Sequence, residues 1–520
     1  MTYPTRLALW ASLFAVQLEF GICNAQVQAP HTIALLEAVR GTLVNNVSVR
    51  LQERQVDFAK GALEQASSQF DPVFGASAGL ARDKTPLNSQ QQLQSPVDSV
   101  RTDTATYGLS LSRQLRNGTV LETTVSTSRS EDTVGELSGL QAQNLGRLNF
   151  SVRVPLGKGS GPTVAAGEAA TAREADATRN DLQHTLAQSV MDTVSAYWNL
   201  VAAGKNLTIA REAEASLVRL GEELEKLIVA DERPAAELTL INASLTGKTS
   251  QRIGAERALL DAQQALGRLI GQPYNVYSRL QAATDFPSSP AIEVRDAAET
   301  GRLLEYALRH RADLAAAYLR HSAAQILTDA ARYNLKPQLD LKFNLGYVSL
   351  DESNAWRGTL WPYSRTPVGP SGGVTLTYQW PLSNRSARAG LTQQIALLDQ
   401  SEARVADLTN AVGAGVEAAL NGAMSSARQL RQSVGSLDLY SRATDNERTK
   451  HRLGQSTLVD VLSVNDMLLA ARAAHVSYQV SYLSFLVRLR FETATLVESS
   501  AHGQSITLEQ LLTPPTAAKE

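Results

Sequence analysis

The 520-residue chain has a single cysteine, Cys23, within an N-terminal stretch that reads as removable. That excludes a disulfide framework and leaves the mature chain without thiolate chemistry. Its seven histidines, at 31, 184, 310, 321, 451, 475 and 502, lack metal-ligand spacing, so no metal site is expected. Positive charge is not in excess either. The 49 Lys plus Arg stand against 51 Asp plus Glu, which gives no field to attract a nucleic-acid backbone. HExxH and Walker sequences are missing, and Gly157-Lys158-Gly159-Ser160-Gly161 has neither glycine spacing that cradles phosphate, so it reads as a turn. The chain therefore reads as no enzyme, with no catalytic residue and no cofactor. Beyond the N-terminus no 18 consecutive residues are apolar, so a membrane-embedded part has to be β-structure.

What the sequence does contain is an internal repeat, the first thing to look for in a long chain. Asp460 matches Glu237, Val464 matches Ile241, Asn465 matches Asn242 and Leu468 matches Leu245, all at one offset of 223. Just upstream the offset is 222, pairing Leu186 with Leu408, Val190 with Val412, Val194 with Val416, Ala196 with Ala418 and Asn199 with Asn421. The chain is a tandem duplication with one residue slipped between the two matches.

The periodicity within each copy changes from helix to strand and back. Arg6 precedes the apolar run Leu7 to Val16, and Cys23-Asn24-Ala25 then offers a small residue, the order of a secretory signal over 1–25. Cys23 as a lipidation site is the alternative, with Ile22 bulkier than the usual small residue before it. Residues 33 to 70 read as helical, ending at Asp71-Pro72. Leu109 and Leu111, then Leu148, Phe150, Val152 and Val154, alternate with polar residues, the period of strands. Val73 to Ala81 and Val120 to Ser128 are weaker strands, and Arg82 to Thr102 and Ser130 to Gly146 read as long solvated loops. From Pro162 to Val229 the period is helical again, about 68 residues or on the order of 100 Å. Asp231-Glu232-Arg233-Pro234 turns the chain back through a second helix to Gly271.

The second copy repeats this order. It has a helix over Leu303 to Asn334, strands at Leu339 to Tyr347 and Val374 to Trp380, a long helix from Arg385 to Arg452, a turn at Gly454 and a return to Val497. The organisation is thus a first repeat over 26–273 (strands about 73–155, helical hairpin 162–271), a connecting segment over 274–299, a second repeat over 300–499 (strands about 337–380, helical hairpin 385–497) and a loose polar tail over 500–520. Pro72 to Pro337 is an offset of 265, whereas Pro155 to Pro381 is 226, so copy one holds 39 extra residues among its strands. That is room for a hairpin with an Asn117-Gly118 turn, forming either two added barrel strands or a structure standing above the membrane.

Alternating strands also suit a half-buried soluble sheet. The export signal, strands of about nine to eleven residues and aromatics at strand ends favour a lipid-facing barrel. Four to six strands per chain fall short of the roughly eight in the smallest single-chain barrels, so several chains must pool theirs. Helices of about 100 Å would then continue the conduit outside the lipid. A structural or adhesive coiled-coil surface protein explains the helices and not the strands.

This order of elements resembles the TolC family of outer-membrane efflux proteins. Leu453-Gly454-Gln455 with Leu458-Val459-Asp460-Val461-Leu462 resembles its helix-turn tip, Ala196-Tyr197-Trp198-Asn199-Leu200 its long-helix motif, and Pro155-Leu156 and Pro381-Leu382 its strand-to-helix junctions. The resemblance implies an α+β membrane protein, a tandem-repeat protomer of helical hairpins and β-hairpins sharing a trimeric, twelve-stranded outer-membrane β-barrel. It implies a homotrimer in outer-membrane lipid with a periplasmic extension, docking onto a periplasmic adaptor (membrane fusion) protein and an inner-membrane pump of RND or ABC type. The role would be the exit duct of tripartite efflux or type I secretion.

Ala230, Asp231, Leu453, Gly454, Gln455 and Ser456 then form the docking tips, with Asp231 where the second copy has Gly454. Ser456 stands where some relatives carry a gate-locking Arg. Glu237 and Asp460 lie six residues beyond Asp231 and Gly454. They are either helix-end acids facing the helix dipole or, by resemblance, channel-constriction residues forming a ring of six carboxylates.

Overall fold

A computed structural model describes residues 31–93, 95, 97–231, 234–287, 297–364, 368–500 and 503–515; the export-signal segment and Cys23 lie outside these. The described residues open with β1 (His31–Ile33), α1 (Leu35–Asn45) and α2 (Val47–Ser67). The single helix expected over 33–70 is thus two. Asn46 separates them because its side chain accepts from the backbone N–H groups of Ser48 and Val49, which caps α2 and stops α1.

Four strands follow, β2 (Val73–Pro86), β3 (Ser99–Gln114), β4 (Val120–Asp132) and β5 (Gln143–Pro155), with short helices α3 (Ser89–Gln92) and α4 (Thr133–Leu137) at the outer turns. The loops expected at 82–102 and 130–146 are therefore shorter, because the ladders run on past the apolar residues. There Arg82 holds Asp103 across β2 and β3, with Nε 2.5 Å and Nη2 3.0 Å from the carboxylate. At 12 to 16 residues, the six long strands also exceed the expected nine to eleven.

The two long helices of copy one are α5 (Ala166–Val229) and α6 (Ala236–Leu269). Next come α7 (Tyr274–Tyr277), β6 (Leu280–Ala282), α8 (Ala297–His310) and α9 (Ala312–Tyr333), so the helix expected at 303–334 is broken at Arg311. Copy two completes with β7 (Gln338–Glu352), α10 (Trp356–Leu360), β8 (Val368–Gln379), α11 (Arg385–Arg452) and α12 (Leu458–Glu492). The tail is docked rather than loose. It forms a hairpin, β9 (Glu498–Ser500) with β10 (Gly503–Ser505), and a short helix, α13 (Leu508–Leu512). Leu511 is fully buried, and Arg490 donates to the Thr513 carbonyl at 2.7 Å.

One antiparallel sheet takes strands in the order β2-β3-β4-β5-β7-β8. Below it α2 packs on α5, α5 on α9 and α9 on α11, the same order as the strands they adjoin. With 64 and 68 residues, α5 and α11 span roughly 100 Å each at about 1.5 Å per residue. The main core lies midway along them, where both copies meet. Trp198 is 2% exposed and stacks on Phe286, while Tyr197 donates to the Ile33 carbonyl at 3.2 Å beside the parallel β1–β6 pair.

Candidate functional site

The sheet and the helical tips are the two places where this fold meets its surroundings. Across the sheet, residues share faces by the alternation of strand side chains. One row is Ala76, Leu109, Val125, Leu148, Tyr347 and Pro370; the next is Phe74, Leu111, Thr123, Phe150, Leu345 and Gly372. Leu109, Leu111, Leu148, Phe150, Leu345 and Tyr347 are exposed, although large and apolar. The row between them, on the other face, is Gly75, Ser110, Thr124, Asn149, Gly346 and Ser371. In β3 and β7 these small polar positions are more enclosed than the apolar ones, which puts them on the concave side. An apolar convex face and a polar concave face are what lipid outside and water inside require.

The outer edge of the apolar face is polar. Beyond Tyr347 the segment around α10 folds back on it, with Thr359 bonded to Arg129 and Asn144, and Tyr363 donating to the carbonyls of Ser126 and Arg147. Trp356 and Trp361 are exposed there, as aromatics at a membrane interface would be. Among the described residues no helix is long and apolar enough to cross a membrane.

At the far end of the molecule two turns join the long helices. Gly454 has φ of 74° and Asp231 has φ of 59°, so the two copies share one left-handed turn geometry. Their surroundings differ. In copy two, Gly454 N–H donates to His451 at 3.0 Å and Gln455 N–H to Lys450 at 2.9 Å, closing the helix end. Thr457 then starts α12 with a reciprocal cap, in which Asp460 N–H donates to Thr457 Oγ1 at 3.2 Å and Thr457 N–H to Asp460 Oδ2 at 3.1 Å. Copy one starts α6 from Ala235 with no side-chain cap.

Asp460 is exposed and Glu237 half-buried. Neighbours of both, Leu238, Leu458 and Leu462, join Leu224 and Ile241 in one apolar cluster, which places the two acids at the same end of the chain. The Thr457 hydroxyl, donating at 2.6 Å, and the Thr457 N–H hold the Asp460 carboxyl below the usual carboxylate range. Ala230, Asp231, Leu453, Gly454 and Gln455 are all exposed at the apex, with Val229 beside them. Ser456 donates to Glu447, and that bond, with Lys450 3.1 Å away, lowers the Glu447 pKa. Glu447 and Thr457 escaped the sequence reading, although Thr457-x-x-Asp460 carries the spacing of a capping box. Among the described residues no group of His, Cys, Asp and Glu could hold a metal.

Residues 303–494 match the outer membrane efflux protein family. That match lies within the second copy of the repeat. Solved structures similar to this chain include the outer-membrane channel OprN (16% identity, TM-score 0.67, covering 89% of this chain and 90% of that one). The Campylobacter jejuni CmeC outer membrane channel gives 17%, 0.64, and 94% of each chain. The open state of the Neisseria gonorrhoeae MtrE outer membrane channel gives 14%, 0.61, and 88% of each. No curated protein sequence matches. At identities of 14 to 17%, these outer-membrane channels show that the chain shares their fold.

Proposed function

We propose that this chain is an outer-membrane efflux protein, the exit duct of a pump-driven export assembly, either tripartite efflux or type I secretion, and that it works as a homotrimer. The observation that carries the reading is a sheet with an apolar convex face and two unpaired edges, β2 and β8, mounted on helices of roughly 100 Å. Open edges in lipid leave backbone groups without partners at several kcal/mol each. Copies of the chain therefore pool their strands, and their helices continue the wall as a tunnel. In this assembly the apex residues Ala230, Asp231, Leu453, Gly454, Gln455 and Ser456 meet a periplasmic adaptor, behind which stands an inner-membrane pump of RND or ABC type. The exposed Val229 and Leu453 give that surface apolar contacts.

Glu237 and Asp460 act in this reading as the cation-attracting constriction, six carboxylates in a trimer. The test is single-channel recording of the purified protein in planar bilayers. The double substitution Glu237→Gln and Asp460→Asn should lower cation preference and abolish block by multivalent cations from the periplasmic side. Unchanged selectivity and block in correctly assembled protein would reduce these acids to helix-end residues.

A further inference from the structure

The sheet has six strands per chain, and the extra pair, β3 and β4, sits within it rather than above it. Their turn lies at the tunnel end. Leu115 N–H donates to the Thr119 carbonyl at 2.7 Å, and Gly118, with φ of 92°, packs so close to the Gly159 carbonyl that a Cβ would lie 2.2 Å from it. Arg116 of that turn grips Glu168 on α5 through two nitrogens, at 2.7 and 2.8 Å, and lies over the Phe70 ring at the end of α2. The added hairpin is thus fastened between the two helices that flank it. Its apolar residues continue the convex band in register, Leu109 and Val125 standing level with Leu148 and Tyr347, and Ser110 and Thr124 continue the concave polar row.

We infer that all six strands of each copy line the barrel, so that three copies close one of eighteen strands instead of the family's twelve, β8 of one copy pairing antiparallel with β2 of the next. This rests on the trimeric reading above. Direction allows it, since an even number of alternating strands leaves β2 and β8 running oppositely. Width favours it. A strand spaced about 4.8 Å from its neighbour and tilted about 40° occupies roughly 6 Å of circumference, so six occupy roughly 38 Å. The four helices beneath, α2, α5, α9 and α11, at about 8 to 10 Å apart, occupy roughly 32 to 40 Å. Six strands match that arc, whereas four would cover only about 25 Å and force the duct to taper. Eighteen strands give a backbone diameter of roughly 36 Å, against roughly 24 Å for twelve. The cargo class that follows is a bulky one, because the barrel no longer narrows below the width of the tunnel.

Single cysteines at Leu109, Val125, Ser110 and Thr124, with Leu148→Cys as a lipid-facing reference and the unsubstituted chain as the blank for Cys23, test this in proteoliposomes. A bimane label at 109 and 125 should be quenched by nitroxide lipids as strongly as at 148, while 110 and 124 should react at least tenfold faster than those three with a hydrophilic maleimide. Two positions per face guard against one variant failing to assemble. Equal aqueous reactivity at all four hairpin sites, or a density map of the assembled protein with twelve barrel strands, would overturn the inference. Native mass on the same samples separates the two readings. A trimer with a solvated hairpin sinks the eighteen-stranded barrel alone, whereas a mass other than trimeric sinks the assembly reading itself and the strand count with it.

Discussion

Replacing Arg311 by Met would test whether the helices are locked midway along the tunnel by charge. Arg311 is 9% exposed and stands between α8 and α9. Its Nε and Nη2 reach Asp313 at 3.0 and 2.8 Å, its Nη1 bonds Glu492 on α12, and its guanidinium lies over the Phe491 ring. His184 of α5 lies 3.7 Å from Asp313, and burial pushes its pKa down. One guanidinium therefore ties α9 to α12, and Asp313 in turn faces α5 through His184. Breaking a buried pair by removing one partner costs about 3–5 kcal/mol, and here Asp313 loses its Arg partner while Glu492 keeps only Arg488, at 3.6 Å; both carboxylates are under a fifth exposed. The assay is the guanidinium unfolding midpoint of the detergent-solubilised protein as a function of pH. Burial works to raise the Asp313 pKa, but the hydrogen bonds and charge of Arg311 more than offset it, so the folded value lies below the ordinary one. Its stabilisation is accordingly present above about pH 4, near the unfolded value, and lost as pH falls through the lower folded value. In Arg311→Met only the Leu314 N–H and His184 still oppose burial at Asp313, so the variant should lose less stability than the parent as pH falls below about 4. Adding Asp313→Asn and Glu492→Gln should recover most of the loss. A single variant within about 1 kcal/mol of the parent, with the parent's own acid-side pH trend, would refute the idea of a buried charge lock.

Other outcomes follow from the same structure. Trp198→Ala removes a buried ring from the junction of the two copies and should cost about 3–5 kcal/mol in the same unfolding assay. Asp231→Gly relieves a non-glycine residue at φ of 59° and should be neutral or stabilising by up to about 1 kcal/mol, whereas Gly454→Ala should destabilise; both are read as unfolding midpoints. Thr457→Ala removes the α12 cap and should cost about 1 kcal/mol, with faster amide exchange confined to the start of that helix.

Much of the fold was legible because the sequence states it twice. The turns at Gly454 and Asp231 were legible as equivalent positions of the repeat, and the structure shows both residues in the same left-handed conformation. The convex face was legible where lipid demands apolar side chains, in Leu148, Phe150, Leu345 and Tyr347. Strand ends were not legible, because past the lipid no solvent boundary imposes alternation and the ladders continue on pairs such as Arg82 with Asp103. The break at Asn46 carries a local signal, an asparagine able to cap the next turn. The break at Arg311 carries none. Its partner Glu492 lies 181 residues away, so nothing in the neighbourhood of either residue announces the contact.

The tips show the same division. Asp460 was singled out by symmetry with Glu237, yet symmetry could not foresee that Thr457 would engage it, since copy one has Pro234 at the corresponding place and no side-chain cap. Equivalent positions in the repeat thus carry unequal chemistry. Any gate built from them moves against a capped helix start on one side and an uncapped one on the other. Because an uncapped end has fewer satisfied backbone groups to lose, opening by fraying should begin at α6 rather than α12.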